Sequence, residues 1–184
     1  MKKNWPGYAS FVWVSVFILF HIYWAFGGRF GLGDASSPIP PLPTSLSEWI
    51  YFYVVIIMFA AGTIVPLATI RSWRRYFTRL MIVIACWIGC VVLILRGGAG
   101  FVDDFFRSTG LLPNGITGLT YEQTYGDEHI STYTLWSSRA MDGYFILGGV
   151  LYGLTAWFYQ SRIASLLKSK KNRPHHTNST NDAG

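Results

Sequence analysis

Residues 71–96 read RSWRRYFTRLMIVIACWIGCVVLILR. Arg71, Arg74, Arg75 and Arg79 crowd the start, and no further charge appears until Arg96. Such a stretch reads as a helix crossing lipid, because a hydrocarbon core about 30 Å thick needs roughly 20 helical residues. Three more runs lack Lys, Arg, Asp and Glu: Tyr8–Phe26, Trp49–Ile70 and Gly143–Gln160. With Leu80–Leu95 they make four spans. The chain therefore reads as an all-α membrane protein, a four-helix transmembrane bundle with an extracellular cap of loop and short helices. The spans fall at about 8–26, 49–70, 77–96 and 142–160. Outer loops 27–48 and 97–141 join them in a membrane domain of residues 1–167, and residues 168–184 form a disordered tail.

Charge sets the orientation. The N-terminus, the 71–79 link and the C-terminal tail hold Lys2, Lys3, Arg71, Arg74, Arg75, Arg79, Arg162, Lys168, Lys170, Lys171 and Arg173, with Asp182 as their one acid. The two longer loops hold Arg29, Arg96, Arg107 and Arg139 against Asp34, Glu48, Asp103, Asp104, Glu122, Asp127, Glu128 and Asp142. Basic residues near helix ends stay in the cytoplasm. Both termini are therefore expected inside a cell (plasma) membrane, with the longer loops outside. Basic residues placed beside spans also explain the pI of about 9.4 without nucleic-acid binding. Lys2 and Lys3 before an apolar run could suggest a signal peptide, but Tyr8–Phe26 is longer and bulkier than a secretory core, so an uncleaved anchor is expected.

Local signals fill in the frame. Pro38, Pro40, Pro41 and Pro43 favour a stiff, extended first loop. Ser45 or Ser47 can cap the second helix, with Glu48 in its first turn. Pro66 removes a backbone donor within the second span and predicts a kink. Phe101, Val102, Phe105 and Phe106 share a face, predicting a short helix on the outer surface or over the bundle. Arg96-Gly97-Gly98-Ala99-Gly100 reads as a tight exit from the membrane. Pro113-Asn114-Gly115 is a turn signal, and Thr120-x-x-Gln123 is a capping box.

Small residues let membrane helices approach closely. Gly149, Gly153, Ala156 and Gln160 form one stripe in the fourth span, with Gly149 and Gly153 as packing residues. Ala85, Gly89, Val92 and Arg96 form one in the third. Ser10, Val14, Phe17, His21, Ala25 and Gly28 form one in the first. Each stripe, extended outward, carries an ionisable group: His21, Arg96 or Asp142. Charges in hydrocarbon cost roughly 2.5–3.5 kcal/mol on insertion scales, so they turn inward and find partners. His21, Arg96 and Asp142 are expected to converge, with Arg29, Asp103, Asp104, Arg107 and Arg139 close by. Arg96–Asp142 could serve only to lock two helices. It could equally belong to an outward-facing pocket for a small polar ligand or lipid headgroup, since arginine's fork suits phosphate and carboxylate.

Other chemistries find less support. Cys86 and Cys90 stand one helical turn apart in the third span and read as packing residues, not as a redox pair. Haem would need two embedded axial ligands, and His21 is the single candidate, so no cofactor is expected. Asp127-Glu128-His129 and His175-His176 read as solvated segments, so no metal site is expected. No Walker loop, Rossmann fingerprint, Gly-x-Ser-x-Gly or His-Glu-x-x-His motif occurs.

His21-Ile22-Tyr23-Trp24-Ala25-Phe26-Gly27-Gly28 resembles the opening motif of small bacterial membrane proteins grouped as domain-of-unknown-function family 3995. Arg96-Gly97-Gly98 and Asp142-Gly143-Tyr144-Phe145 are similar to its later segments. The resemblance runs from about Tyr8 to Tyr159. It implies a four-helix bacterial membrane protein and no particular activity. Three roles stay open: a ligand- or headgroup-binding protein, an enzyme using His21 with acidic residues, and an accessory subunit or homo-oligomer.

Overall fold

The computed structural model describes residues 4–33, 44–71, 75–125 and 130–171. The proline-rich segment 34–43, Arg74, the 126–129 segment with Asp127-Glu128-His129, the Lys2-Lys3 pair and the tail from 172 fall outside these residues. The structure is all-helical: α1 Trp5–Ala25, α2 Leu46–Ile70, α3 Tyr76–Ser108, α4 Tyr121–Tyr125 and α5 Thr132–Lys171. Three of these, α1, α2 and α3, are long and apolar enough to cross a membrane. In α5, four glycines and polar Thr155 and Gln160 dilute the apolar run.

Helix ends follow local chemistry. Ser45 caps α2: its hydroxyl accepts from the Glu48 N–H, and the Glu48 carboxylate accepts from the Ser45 N–H at 3.2 Å. Two of the helix's open donors are thereby satisfied. The Thr120–Gln123 capping box forms likewise and starts α4.

Long helices correct two expected boundaries. The Arg96–Gly100 segment is not a break in the helix, and Phe101–Arg107 is not a separate helix; both continue α3 without interruption. Gly97 and Gly100 are tolerated because α5 presses against them, which offsets their conformational cost. At the other end α5 already begins at Thr132 and runs on through Lys168–Lys171, four residues expected in the tail.

Contacts fix an up-and-down order. Down α1 and up α2, Phe17 meets Phe59, Val14 meets Gly62, and Gly7 meets Pro66 and Thr69. Down α1 and up α5, Trp13 meets Tyr144, Ser10 bonds Thr155 at 2.9 Å, and Asn4 bonds Arg162. Along α3 and back along α5, Asp104 meets Arg139, Gly97 meets Ile146, and Cys90 meets Gly153. Packed neighbours are thus antiparallel. The start of α1, the end of α2 and the C-terminal half of α5 share one end of the bundle.

The core lies between α1, α3 and α5. Trp13 donates its indole N–H to the Tyr144 carbonyl at 3.0 Å, and the Tyr144 hydroxyl donates to the Trp13 carbonyl at 2.6 Å. Trp13 lies over Gly148, where an added Cβ would fall 2.3 Å from the ring. The buried face of α3 is Ile82, Val83, Cys86, Cys90 and Gly97. It is rotated in part from the expected Ala85–Val92 stripe: Gly89 packs against Tyr152, but Val92 is exposed. Small thiols and Gly97 are what α5 can approach most closely. Gln160, expected on the inner stripe of α5, is also exposed.

Pro66 explains one contact with particular clarity. Lacking an N–H, it leaves the Gly62 carbonyl without its helical partner. The Tyr152 hydroxyl of α5 donates to that carbonyl at 2.5 Å. In lipid such a group must be satisfied within the protein. Tyr152→Phe is expected to destabilise the fold by about 1–3 kcal/mol, the cost of an unmet buried acceptor. Adding Pro66→Ala restores the intrahelical donor and recovers most of that loss, so unfolding of the two single variants and the double variant in detergent forms a cycle that checks the coupling.

Candidate functional site

The C-terminal half of α3 and the N-terminal half of α5 form a hairpin joined by the 109–131 connection. Glycine sets their spacing. A Cβ on Gly149 would lie 2.9 Å from the Cys90 carbonyl, and one on Gly97 2.4 Å from the Asp142 carbonyl. One on Gly100 would lie 2.1 Å from the Asp142 carboxylate. Backbones this close bring short side chains on opposite helices into ion-pair range.

Three pairs result. Arg96 donates through Nη1 to Asp142 Oδ1 at 3.1 Å. Arg139 grips Asp104 with two nitrogens, at 2.8 and 3.4 Å, and its guanidinium lies over Trp136. Arg107 and Asp103 pair one turn apart on α3 at 2.7 Å. The first two pairs run in opposite senses, Arg on α3 to Asp on α5 and then Asp on α3 to Arg on α5. A shift in register would set like charges against each other, so the pattern favours one alignment.

The third pair organises the connection. Arg107 also donates to the Leu119 carbonyl at 2.8 Å and to the Thr117 hydroxyl at 3.1 Å. Asp103 Oδ1 accepts from the Ile116 N–H at 2.6 Å. Gly110 closes the helix with φ 72°, and Gly115 turns with φ 62° against Asp103. The 109–120 segment is therefore folded onto one buried guanidinium. Sequence reasoning named Arg107 and Asp103 but as ligand-binding candidates; their spacing of four, on a helix followed by glycines, was the signal for this arrangement.

The expected convergence of His21 with Arg96 and Asp142 is indirect. His21 bonds the Phe17 carbonyl at 2.9 Å. A carbonyl only accepts, so the bond assigns a proton to Nδ1. The imidazole lies among Phe17, Trp24 and Phe59, with centroids 4.3, 5.0 and 4.9 Å away. Among the described residues no carboxylate contacts it. Phe17 touches Phe145 at 5.3 Å, and Arg96 lies over Phe145 at 5.2 Å, so two phenyl rings connect His21 to the ion pair. Arg29 stands exposed in the turn after α1, its carbonyl accepting from the Leu32 N–H.

Burial within the Arg96–Asp142 pair is uneven. The Asp142 side chain is 7% exposed and that of Arg96 57%. The carboxylate is enclosed, while the arginine side chain stays largely accessible. An apolar groove of about 370 Å³, bounded by Leu19, Phe20, Tyr23 and Phe30, lies elsewhere and is not lined by Arg96.

Apolar helices of membrane-spanning length and an interhelical ion-pair ladder define a multi-pass, all-helical membrane protein. The chain belongs to the family described as "Protein of unknown function (DUF3995)", which matches residues 14–116. That match takes in α1 from Val14, all of α2 and α3, and the Asp103–Arg107 turn; the Asp142–Phe145 segment lies beyond it. No curated protein and no solved structure matches the chain.

The glycine seat can be tested position by position. Gly97→Ala and Gly100→Ala are expected to destabilise the hairpin, because both added methyls collide with Asp142. Gly98→Ala meets nothing within 4 Å and should be neutral or slightly stabilising. Thermal unfolding of the three variants in detergent checks the order.

Proposed function

We propose that the protein crosses the membrane four times with both termini inside, and that its outer half binds a small anion or lipid headgroup at Arg96. Support for the fourth span comes from α5, which is antiparallel to α1 and α3 and packed against both. Arg71, Arg75, Arg79, Arg162 and Lys168 gather at one end, and this favours that end as cytoplasmic.

One observation carries the binding reading. Arg96 is anchored by Asp142 through one nitrogen and lies over Phe145, yet its side chain is 57% exposed. Asp142 Oδ1 engages one nitrogen, and the remaining N–H donors suit a phosphate. A second, accessory role draws on α2, whose outer half from Trp49 to Met58 is largely exposed and could seat a membrane partner. His21, held by main chain and aromatic rings, has little to recommend it as an acid or base with the nearby carboxylates.

The test uses purified protein with short-chain phosphatidylglycerol, phosphatidylcholine and inorganic phosphate. Phosphatidylglycerol, or phosphate if the ligand is a free anion, is expected to raise the unfolding temperature saturably. Arg96→Gln combined with Asp142→Asn removes both charges, avoids an orphaned buried carboxylate, and should abolish the shift. An equal shift in the double variant contradicts the assignment.

A further inference from the structure

On its side away from α5, helix α3 carries Ile84, Ile88, Val91 and Leu95, then Val102 and Phe105, all exposed. Their intervals of four and three keep them on one helix face, with Gly98 supplying the turn between. Arg96 does not break this stripe, because it stands on the flank with Asp142. Asp103, Asp104 and Arg107 are likewise turned toward the connection and α5. The apolar face therefore continues to Phe105, ten residues past Leu95, the last residue of the charge-free run.

Two other elements reach the same height. The Asp104–Arg139 pair sets the register, so Trp136 on α5 lies level with Phe105 on α3. Trp136 is 62% exposed and Phe105 55%. The turn after α1 joins them there, where the Gly31 N–H donates to the Tyr133 hydroxyl at 3.0 Å. In water such an exposed apolar face is a liability. Aromatic rings at a common level instead mark the membrane interface. Length agrees: Arg79 to Phe105 spans about 39 Å at 1.5 Å per residue, against about 40–45 Å for a bilayer with its headgroups.

We propose that this stripe, with Phe105 and Trp136, is a lipid-contact surface reaching into the outer headgroup layer. The Arg96–Asp142 pair then lies roughly 13 Å beneath the membrane's outer face. Arg96 reaches phosphate by extending its side chain upward, and a lipid headgroup becomes the favoured source of the anion at that site. This rests on the four-span reading.

Nitroxide labels on Val91→Cys, Phe105→Cys and Trp136→Cys test it in phosphatidylcholine–phosphatidylglycerol vesicles. Native Cys86 and Cys90 are buried, and absence of label on the unsubstituted protein confirms that they stay silent. Relaxation by oxygen and by a water-soluble nickel chelate is compared at each site. The expected result is oxygen dominance at 91 and clear oxygen access with reduced nickel access at 105 and 136. Nickel access at 105 and 136 equal to that of a freely solvated label overturns the inference while leaving the spans intact. Spin–spin broadening at 105 that disappears on dilution with unlabelled protein also overturns it, in favour of a second copy. Nickel access at 91 as well overturns the spanning reading itself.

Discussion

The close approach of α3 to α5 is the constraint on which the rest of the structure depends. Gly97 and Gly100 on one helix, and Gly149 on the other, leave no room for side chains at the contact. Lipid tails are as apolar as leucine, so hydrophobicity alone gives two membrane helices little reason to associate. Tight backbone packing supplies that reason. It also holds Arg96 and Arg139 within reach of Asp142 and Asp104 and sets the paired helices high enough to carry the folded turn on Arg107. Loosening the contact would leave a carboxylate that is 7% exposed without its partner.

A second constraint shapes the other side of the bundle. Backbone groups in lipid must be satisfied internally. Pro66 breaks that rule within α2, and Tyr152 repairs it from α5. Near the chain's N-terminal end of the bundle Arg162 bonds Asn4 of the α1 cap and the Thr69 carbonyl of α2. Thus α2 is fastened at its C-terminal half through specific polar contacts, while its N-terminal half remains exposed. Arg96, His21 and their intervening phenyl rings lie toward the opposite end, where α2 holds the bundle less closely.

Much of the helical frame was legible because charge-free runs, caps and prolines are local signals. Ser45 with Glu48 and Thr120 with Gln123 announced their own bonds. The length of α3 was not legible, since three glycines after Arg96 look like a helix end until Asp142 is seen resting on Gly97 and Gly100. The inward face of α3 was legible in part. Of the Ala85, Gly89 and Val92 stripe, Gly89 packs against Tyr152, whereas Val92 is exposed and the thiols of Cys86 and Cys90 fill the buried face. Arg96–Asp142 could be paired from stripe positions alone. Arg107 could not be placed, because its partners include carbonyl and hydroxyl groups of a turn whose path depends on Gly110 and Gly115.

The most direct measurement of the α3–α5 contact uses a single substitution. A Cβ at position 153 would lie 3.9 Å from the Cys90 Cβ, close to the separation found in disulfides. Under mild oxidation Gly153→Cys should bond to Cys90 in nearly every folded molecule, read by mass spectrometry of the linked peptides. Quantitative alkylation of both thiols after oxidation, in protein that is demonstrably folded, would contradict the account.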